Sequence, residues 1–177
     1  LFANSLGSGT PTDVVVNANV SSTGGNGTVT VTASQDILHN SGTISAAGNG
    51  TVTETAGRHV TMGATAQVQS NLGSIAITAD NAVGNNGGAI TMADGSLVNT
   101  NALASLTADG NIQVSHVQSS SAAGNAVMVT TTSGAITDAD AGNGMDISVV
   151  NGGAILSAAT GIGAAGSNAT IEINVIN

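Results

Sequence analysis

The chain has 177 residues with ten acidic side chains and a single Lys or Arg, Arg58, so its formal net charge is −9. This charge disfavours nucleic acid as a partner, because neutralising phosphates takes many Lys and Arg side chains. Ala, Gly, Thr, Ser and Asn supply 113 residues and Phe2 is the only aromatic residue, which excludes the stacking surfaces that grip sugars and bases.

The chain should nevertheless fold as one domain. Val, Ile, Leu and Phe supply 40 residues, more than disordered chains contain. The absence of Cys excludes disulfides and thiolate metal sites, and no apolar run approaches the ~18 residues of a membrane span. Because the chain begins with Leu1 and shows no leader pattern, we interpret it as a processed or excised section of a longer protein. We predict one domain over 1–177, with a less regular N-terminal coil at 1–24 and repeat coils at 25–177.

An internal repeat dominates the sequence. A short alternating segment at Val14 and Val16 comes first, and residues 25–30 (GNGTVT) then recur as 48–53 (GNGTVT) and 71–76 (NLGSIA). The three copies are 23 residues apart, and each opens an alternating segment. Looser copies follow, and we place their first residues at Ala104, Val127, Met145 and Ile171. The mean step is near 24 residues, which is the size of one supersecondary unit in a repeat protein.

Each copy has the period of a β-strand. Alternating Val and Thr followed by Gly-Asn pairs favours strands and tight turns and disfavours helix. An antiparallel sandwich would also fit the spacing, but successive copies match one another, and the bulky residues that fill a sandwich are missing. We therefore predict an all-β fold, a parallel β-solenoid of about seven or eight coils. A right-handed β-helix is expected because parallel crossovers have that hand.

The alternation also predicts which side chains form the core. Val31, Ile77, Ile112 and Ile147 should point inward and pack on equivalent residues one coil away, while Thr30 should point outward.

Several stretches resemble the repeats of very large bacterial surface proteins, the filamentous-haemagglutinin-like adhesins. The resemblance covers about residues 25 to 177 and rests on the stretches 73–80 (GSIAITAD), 88–95 (GAITMADG), 107–112 (TADGNI), 131–138 (TTSGAITD) and 158–163 (AATGIG). It implies a right-handed β-helix, an extracellular location at the bacterial cell surface, and an adhesive or filament-forming role. It carries over no catalytic residue, because the family motif is structural.

The densest acidic stretch is a candidate calcium site. Asp138, Asp140 and Asp146 stand in a Gly-rich segment, and Ca²⁺ takes six to eight oxygen ligands from flexible loops. The segment departs from the calcium-loop pattern at Gly142, and no bidentate Glu follows. A plain solvated turn is the alternative, and no other cofactor is expected.

The remaining polar residues predict no active site. His39, His59 and His116 fall at different places in their coils, which favours surface or turn positions. Arg58 with Glu54 four residues earlier is interpreted as a weak surface pair. With one Arg, no Lys and no Gly-x-Ser-x-Gly motif, the chain is not expected to be an enzyme. A carbohydrate-active β-helix enzyme stays a minor alternative, as does an ice- or surface-binding solenoid suggested by the threonines of 28–32 and 51–55.

The two ends carry the functional prediction. The segment 170–177 reads as a strand with no cap after it, and residues 1–6 are short and apolar. We predict that residues 1–20 of one copy lie against residues 169–177 of the next, so that the chain is its own partner, head to tail, and builds an extracellular rod or filament. Cell-surface or matrix ligands are the further partners expected. The residues expected to form this self-association contact are Phe2, Leu6, Ile171, Ile173 and Val175.

Overall fold

A computed structural model describes residues 12–80, 87–139, 144–163 and 170–176, together with the backbone of residues 2–3. Nineteen strands and no helix occur in this part of the chain, and accordingly it holds no helix able to cross a membrane. The strands are β1 (Phe2–Ala3), β2 (Val14–Val16), β3 (Val20–Ser22), β4 (Val29–Ala33), β5 (Ile37–Ala46), β6 (Val52–Ala56), β7 (Val60–Ser70), β8 (Ile75–Thr78), β9 (Ile90–Met92), β10 (Leu97–Thr100), β11 (Ala104–Ala108), β12 (Ile112–Val114), β13 (His116–Ser119), β14 (Val127–Thr131), β15 (Ala135–Asp138), β16 (Ile147–Val150), β17 (Ala154–Ser157), β18 (Gly161–Ile162) and β19 (Ile173–Ile176).

All the strand pairs are parallel and stack into three ladders. The first ladder is a seven-stranded sheet in the order β1-β4-β6-β8-β11-β14-β17. The second runs β2-β5-β7-β9-β12-β15-β18, and the third runs β3-β5-β7-β10-β13-β16-β19. The long strands β5 and β7 turn the corner between these two ladders and so belong to both. The predicted parallel β-solenoid is confirmed, with about six turns, slightly fewer than the seven or eight coils expected.

The register corrects two of the predicted repeat copies. Val29, Val52, Ile75, Ala104 and Val127 do stack in the first ladder. The next residue in that stack is Ala154, however, and not Met145. The segments that begin at 145 and 171 supply strands β16 and β19 of the third ladder, where Ile147 pairs with Ile173. The error arises because strand alternation is the same in all three ladders.

The core is a narrow interior of stacked aliphatic side chains. Val31, Ile77, Ile112 and Ile147 are all completely buried, whereas Thr30 is exposed. The predicted inward face is therefore confirmed. Burial alternates along the strands, as in β6, where every second residue is buried.

The threonines of the first ladder form one continuous outward column. Thr32, Thr55, Thr78, Thr107 and Thr130 are stacked in register, and Ser157 follows them. The neighbouring column starts with Thr30 and Thr53 but continues with Ala76, Ser105 and Met128. Beyond the second of these coils, only one of the two neighbouring columns still consists of threonines.

Corner side chains hold successive coils together. The side-chain oxygen of an Asn or Asp accepts a hydrogen bond from the backbone N–H of the equivalent corner one coil later. Asn26 Oδ1 accepts from Asn49 at 3.0 Å, and Asn111 Oδ1 accepts from Ala135 at 2.9 Å. The same bond joins Asp36 Oδ1 to the N–H of His59 at 3.0 Å. These bonds satisfy backbone groups that a tight corner removes from the ladder.

The charged residues of the second coil do not pair as expected. Arg58 makes a bidentate ion pair with Asp36, with Nε 2.9 Å from Oδ1, and it does not pair with Glu54. Glu54 occupies a core position between Val31 and Ile77, and it is fully buried, as is His39. The predicted surface positions of Glu54 and His39 are therefore wrong. A strand position alternates inward whatever residue occupies it, and this alternation outweighs polarity here.

Candidate functional site: the C-terminal coil

The last coil leaves the ends of the core columns uncovered. Ile162 stacks on Ile136, and Ile173 stacks on Ile147. The lower residue of each pair is completely buried, while Ile162 is 50% exposed and Ile173 is 47% exposed. Val175 shows the same contrast with the buried Val149 below it. These side chains are core residues by position, and they are exposed because no described strand lies beyond them.

The two ends of the solenoid expose different surfaces. Strands β17, β18 and β19 are each the last strand of a ladder, and β1, β2 and β3 are each the first. Val14 and Val16 of β2 are buried, in contrast to the half-exposed aliphatic residues of β18 and β19. Among the described residues, the exposed ends of core columns therefore lie on the C-terminal coil.

Three carboxylates from two successive coils meet beside this surface. Asp138 ends β15, Asp146 directly precedes β16, and Glu172 directly precedes β19. One carboxylate oxygen of each residue lies within 4.8 Å of those of the other two. The ladders bring them together, because the pairing of Ile147 with Ile173 places Glu172 one coil beyond Asp146.

Only part of the bonding capacity of this carboxylate cluster (Asp138, Asp146 and Glu172) is used by hydrogen bonds. Asp146 Oδ2 accepts the backbone N–H of Glu172 at 2.9 Å, which is the corner bond of the lower coils repeated. Thr170 Oγ1 donates to Glu172 Oε1 at 2.5 Å. Asp146 Oδ1 and Glu172 Oε2 are both buried and accept no hydrogen bond from the residues that the structure describes.

The surroundings of Asp146 disfavour the charged form of its carboxyl group. Asp146 is completely buried, and this burial, together with repulsion from Asp138 and Glu172, raises its pKa to about 7. The backbone N–H of Glu172 opposes the shift, but one neutral donor does not outweigh desolvation of the charged form.

The structure brings together some of the predicted site residues. Asp138 and Asp146 do lie close to each other, whereas Asp140 falls outside the described residues. Sequence reasoning missed Glu172, because it looked for a Glu later in the same loop rather than one coil further on. The 26-residue step from Asp146 to Glu172, close to the repeat length, was the signal that could have revealed it.

The predicted self-association residues are distributed unevenly. Ile173 and Val175 are about half exposed, but Ile171 is partly buried and packs against the core. The side chain of Phe2 and the whole of Leu6 fall outside the described residues. Strand β19, from Ile173 to Ile176, carries the most direct candidate surface.

Comparison with protein-family models, with curated protein sequences and with solved structures finds no match to this chain.

Proposed function

We propose that this chain is a structural and adhesive section of an extracellular solenoid rod at a bacterial cell surface, and that the N-terminal coil of a second copy covers its last coil. The observation that carries the proposal is the half-exposed end of the core columns at Ile162, Ile173 and Val175. The residues one coil below them, Ile136, Ile147 and Val149, are completely buried. Covering them with one more coil would remove apolar surface from water, which is favourable.

The three ladders suit a head-to-tail contact. Strands β17, β18 and β19 end the same three ladders that β1, β2 and β3 begin. A second copy shifted along the rod axis therefore presents its first strands, in the parallel sense, to the last strands of the first copy. Such a contact is heterologous and does not close, so it propagates into a fibre. Main-chain hydrogen bonds along an open strand edge would add cohesion.

The surface chemistry supports a structural role. The outward columns carry small hydroxyl and amide side chains, such as the stacked threonines from Thr32 to Thr130. A rod of this kind keeps one cross-section over many coils, and each coil depends only on its neighbours. Binding to cell-surface or matrix ligands along these faces is the adhesive part of the proposal.

The test is self-association of the full chain as a function of concentration in chelator-treated buffer, measured by light scattering after size exclusion and by electron microscopy. We expect the wild-type chain to form rods longer than one subunit. The double variant Ile173→Lys, Val175→Lys should stay monomeric, because two charged side chains cannot be buried at the contact without a partner.

The matched control is Leu72→Lys, since Leu72 is 55% exposed and lies in a middle coil. This variant should assemble as the wild type does. A wild-type chain that stays monomeric at about 1 mM, or a Leu72→Lys variant that loses assembly as fully as the double variant, would contradict the proposal.

A further inference from the structure

We propose that the carboxylate cluster of Asp138, Asp146 and Glu172 binds one divalent cation, Ca²⁺ by preference, and that the ion fastens the last coil to the coil below it. This inference goes beyond the proposed rod function and does not depend on self-association. The site lies at the corner between the second and third ladders, at the end of β15 and the starts of β16 and β19.

The geometry of the cluster fits a calcium ion. Three oxygens no more than 4.8 Å apart all lie within about 2.8 Å of one common point. A contraction of a few tenths of an ångström would bring this distance to the ~2.3–2.6 Å of Ca–O bonds. Mg²⁺ needs about 2.0–2.1 Å and near-ideal octahedral geometry, so it would demand a larger rearrangement.

The number of donor atoms is also sufficient. Three carboxylates offer up to six oxygens, and Ca²⁺ accepts carboxylates in either monodentate or bidentate fashion. Solvent can complete the shell, because Glu172 is only partly buried and Thr170 is exposed.

Two buried oxygens of the cluster point to a ligand. Asp146 has no exposed surface. Its Oδ2 accepts the corner bond from Glu172, but no described residue donates to its Oδ1. Glu172 Oε2 is likewise buried, with no donor among the described residues. Buried polar atoms are nearly always satisfied, and leaving them unmet costs free energy. The corner bond explains one oxygen of Asp146, and a bound cation would account for the other.

No Lys or Arg side chain can neutralise the cluster, and the titratable side chain one coil below Asp146 is His116, whose pKa is lowered by burial. Residues 59–177 contain no Lys or Arg, and the only such residue, Arg58, is paired with Asp36 several coils away. Buried carboxylates are retained in proteins when they are paired, protonated or bound to metal. A divalent cation from solution is the partner that we assign to these carboxylates.

The test is calorimetric titration of CaCl₂ into the metal-stripped full chain at about pH 8 and 0.15 M ionic strength, with a melting curve at about 10 mM CaCl₂. We expect one saturable site per chain, with a dissociation constant on the order of 10⁻⁴ to 10⁻³ M, as in extracellular calcium modules. The melting temperature should rise with calcium, because a ligand that binds only the folded state stabilises it. MgCl₂ should bind at least about tenfold more weakly.

Asp146→Asn and Glu172→Gln should each weaken calcium binding at least about tenfold and remove the rise in melting temperature. The amide of Asp146→Asn can still accept the corner bond from Glu172, so the fold should be kept, and circular dichroism would check this. Asp109→Asn is the matched control. It makes the same change of charge at a corner of an earlier coil, and it should bind calcium as the wild type does.

Three results would overturn the inference. The first is a wild-type chain with neither a saturable heat nor a melting shift at about 10 mM CaCl₂. The second is wild-type calcium affinity in both cluster variants. The third is an equal loss of affinity in Asp109→Asn, which would mean that calcium responds only to the overall negative charge. Because light scattering on the same samples reports the state of assembly separately, failure here is distinguishable from failure of the rod proposal.

Discussion

Glu54 Oε1 lies 3.7 Å from Nδ1 of His39 in the interior of the solenoid, and neither side chain is exposed. His39 Nε2 is 3.0 Å from the carbonyl oxygen of Gly42. Because a carbonyl can only accept, Nε2 carries the hydrogen and Nδ1 is left as an acceptor facing the carboxyl group. Burial raises the pKa of Glu54 to about 8 and lowers the pKa of His39. Both groups are therefore mainly neutral near pH 7.

The first prediction is that Glu54 makes the fold less stable as the pH rises. The pKa of Glu54 is about 8 in the folded chain against an ordinary 4.5, so the folded state holds the proton more tightly. The contribution of protonated Glu54 to the free energy of unfolding is complete below about pH 4.5 and is lost as the pH rises through 8. At about 1.4 kcal/mol per pH unit, the loss is on the order of 5 kcal/mol.

Glu54→Gln tests this, since the amide has the shape of the protonated acid and cannot ionise. Denaturant unfolding should show equal stability of variant and wild type at about pH 4.5, and a variant more stable by several kcal/mol above pH 8. Asp94→Asn removes a charge from an exposed side chain and should keep the wild-type slope. An unchanged slope in Glu54→Gln would refute the prediction.

The second prediction concerns the acid side. Burial lowers the pKa of His39, so the unfolded chain binds the proton more readily. Neutral His39 contributes fully to the free energy of unfolding above its ordinary pKa of 6.5. This contribution is lost as the pH falls through the lower pKa that His39 has in the folded chain. His39→Met places a methionine in the stack directly below Met62, the residue that pairs with position 39 one coil later. The variant should be more stable than the wild type at about pH 5, and this advantage should shrink by pH 8. The opposite ordering in urea unfolding would rule this out.

The third prediction compares two isoleucines of one column. Ile147 is completely buried, while Ile173, paired with it one coil later, is about half exposed. Ile147→Ala should lower the free energy of unfolding by about 2–4 kcal/mol, because it leaves a cavity in a packed stack. Ile173→Ala should cost less than half as much, because water already reaches that side chain. Denaturant titration of both variants at low protein concentration measures the difference, and equal costs would mean that the last coil is covered.

The fourth prediction concerns the close approach of stacked corners. Gly48 has a φ of +58°, and a Cβ atom there would lie 2.1 Å from the carbonyl oxygen of Gly25. Gly48→Ala should therefore destabilise the fold by about 1–3 kcal/mol through overpacking and backbone strain. Gly24→Ala is the control, since a Cβ at Gly24 meets nothing within 4 Å. Thermal melting measures both variants, and an equal decrease in the melting temperatures of Gly48→Ala and Gly24→Ala would contradict the prediction.

Much of the fold follows from local chemistry. Alternation of Val and Thr over five residues fixes which side of a strand faces inward, as at Val31 and Thr30, and the Gly-Asn pairs mark corners that require positive φ, as at Gly48. These effects act within a few residues and repeat in every coil. The parallel solenoid, its inward face and its outward threonines could therefore be predicted from the sequence.

The tertiary structure decided which side chains meet across coils. The step along the first ladder is 23 residues from Val52 to Ile75 but 29 from Ile75 to Ala104, because the loops between strands vary in length. An alternating pattern does not indicate which ladder a strand belongs to. The sequence therefore predicts the wrong ladder for the segments that begin at 145 and 171. The same uncertainty hid the approach of Glu172 to Asp146 and the approach of Glu54 to His39. Strand periodicity is a local property of the chain, whereas contacts between coils depend on the summed lengths of the loops, and only the folded stack fixes that sum.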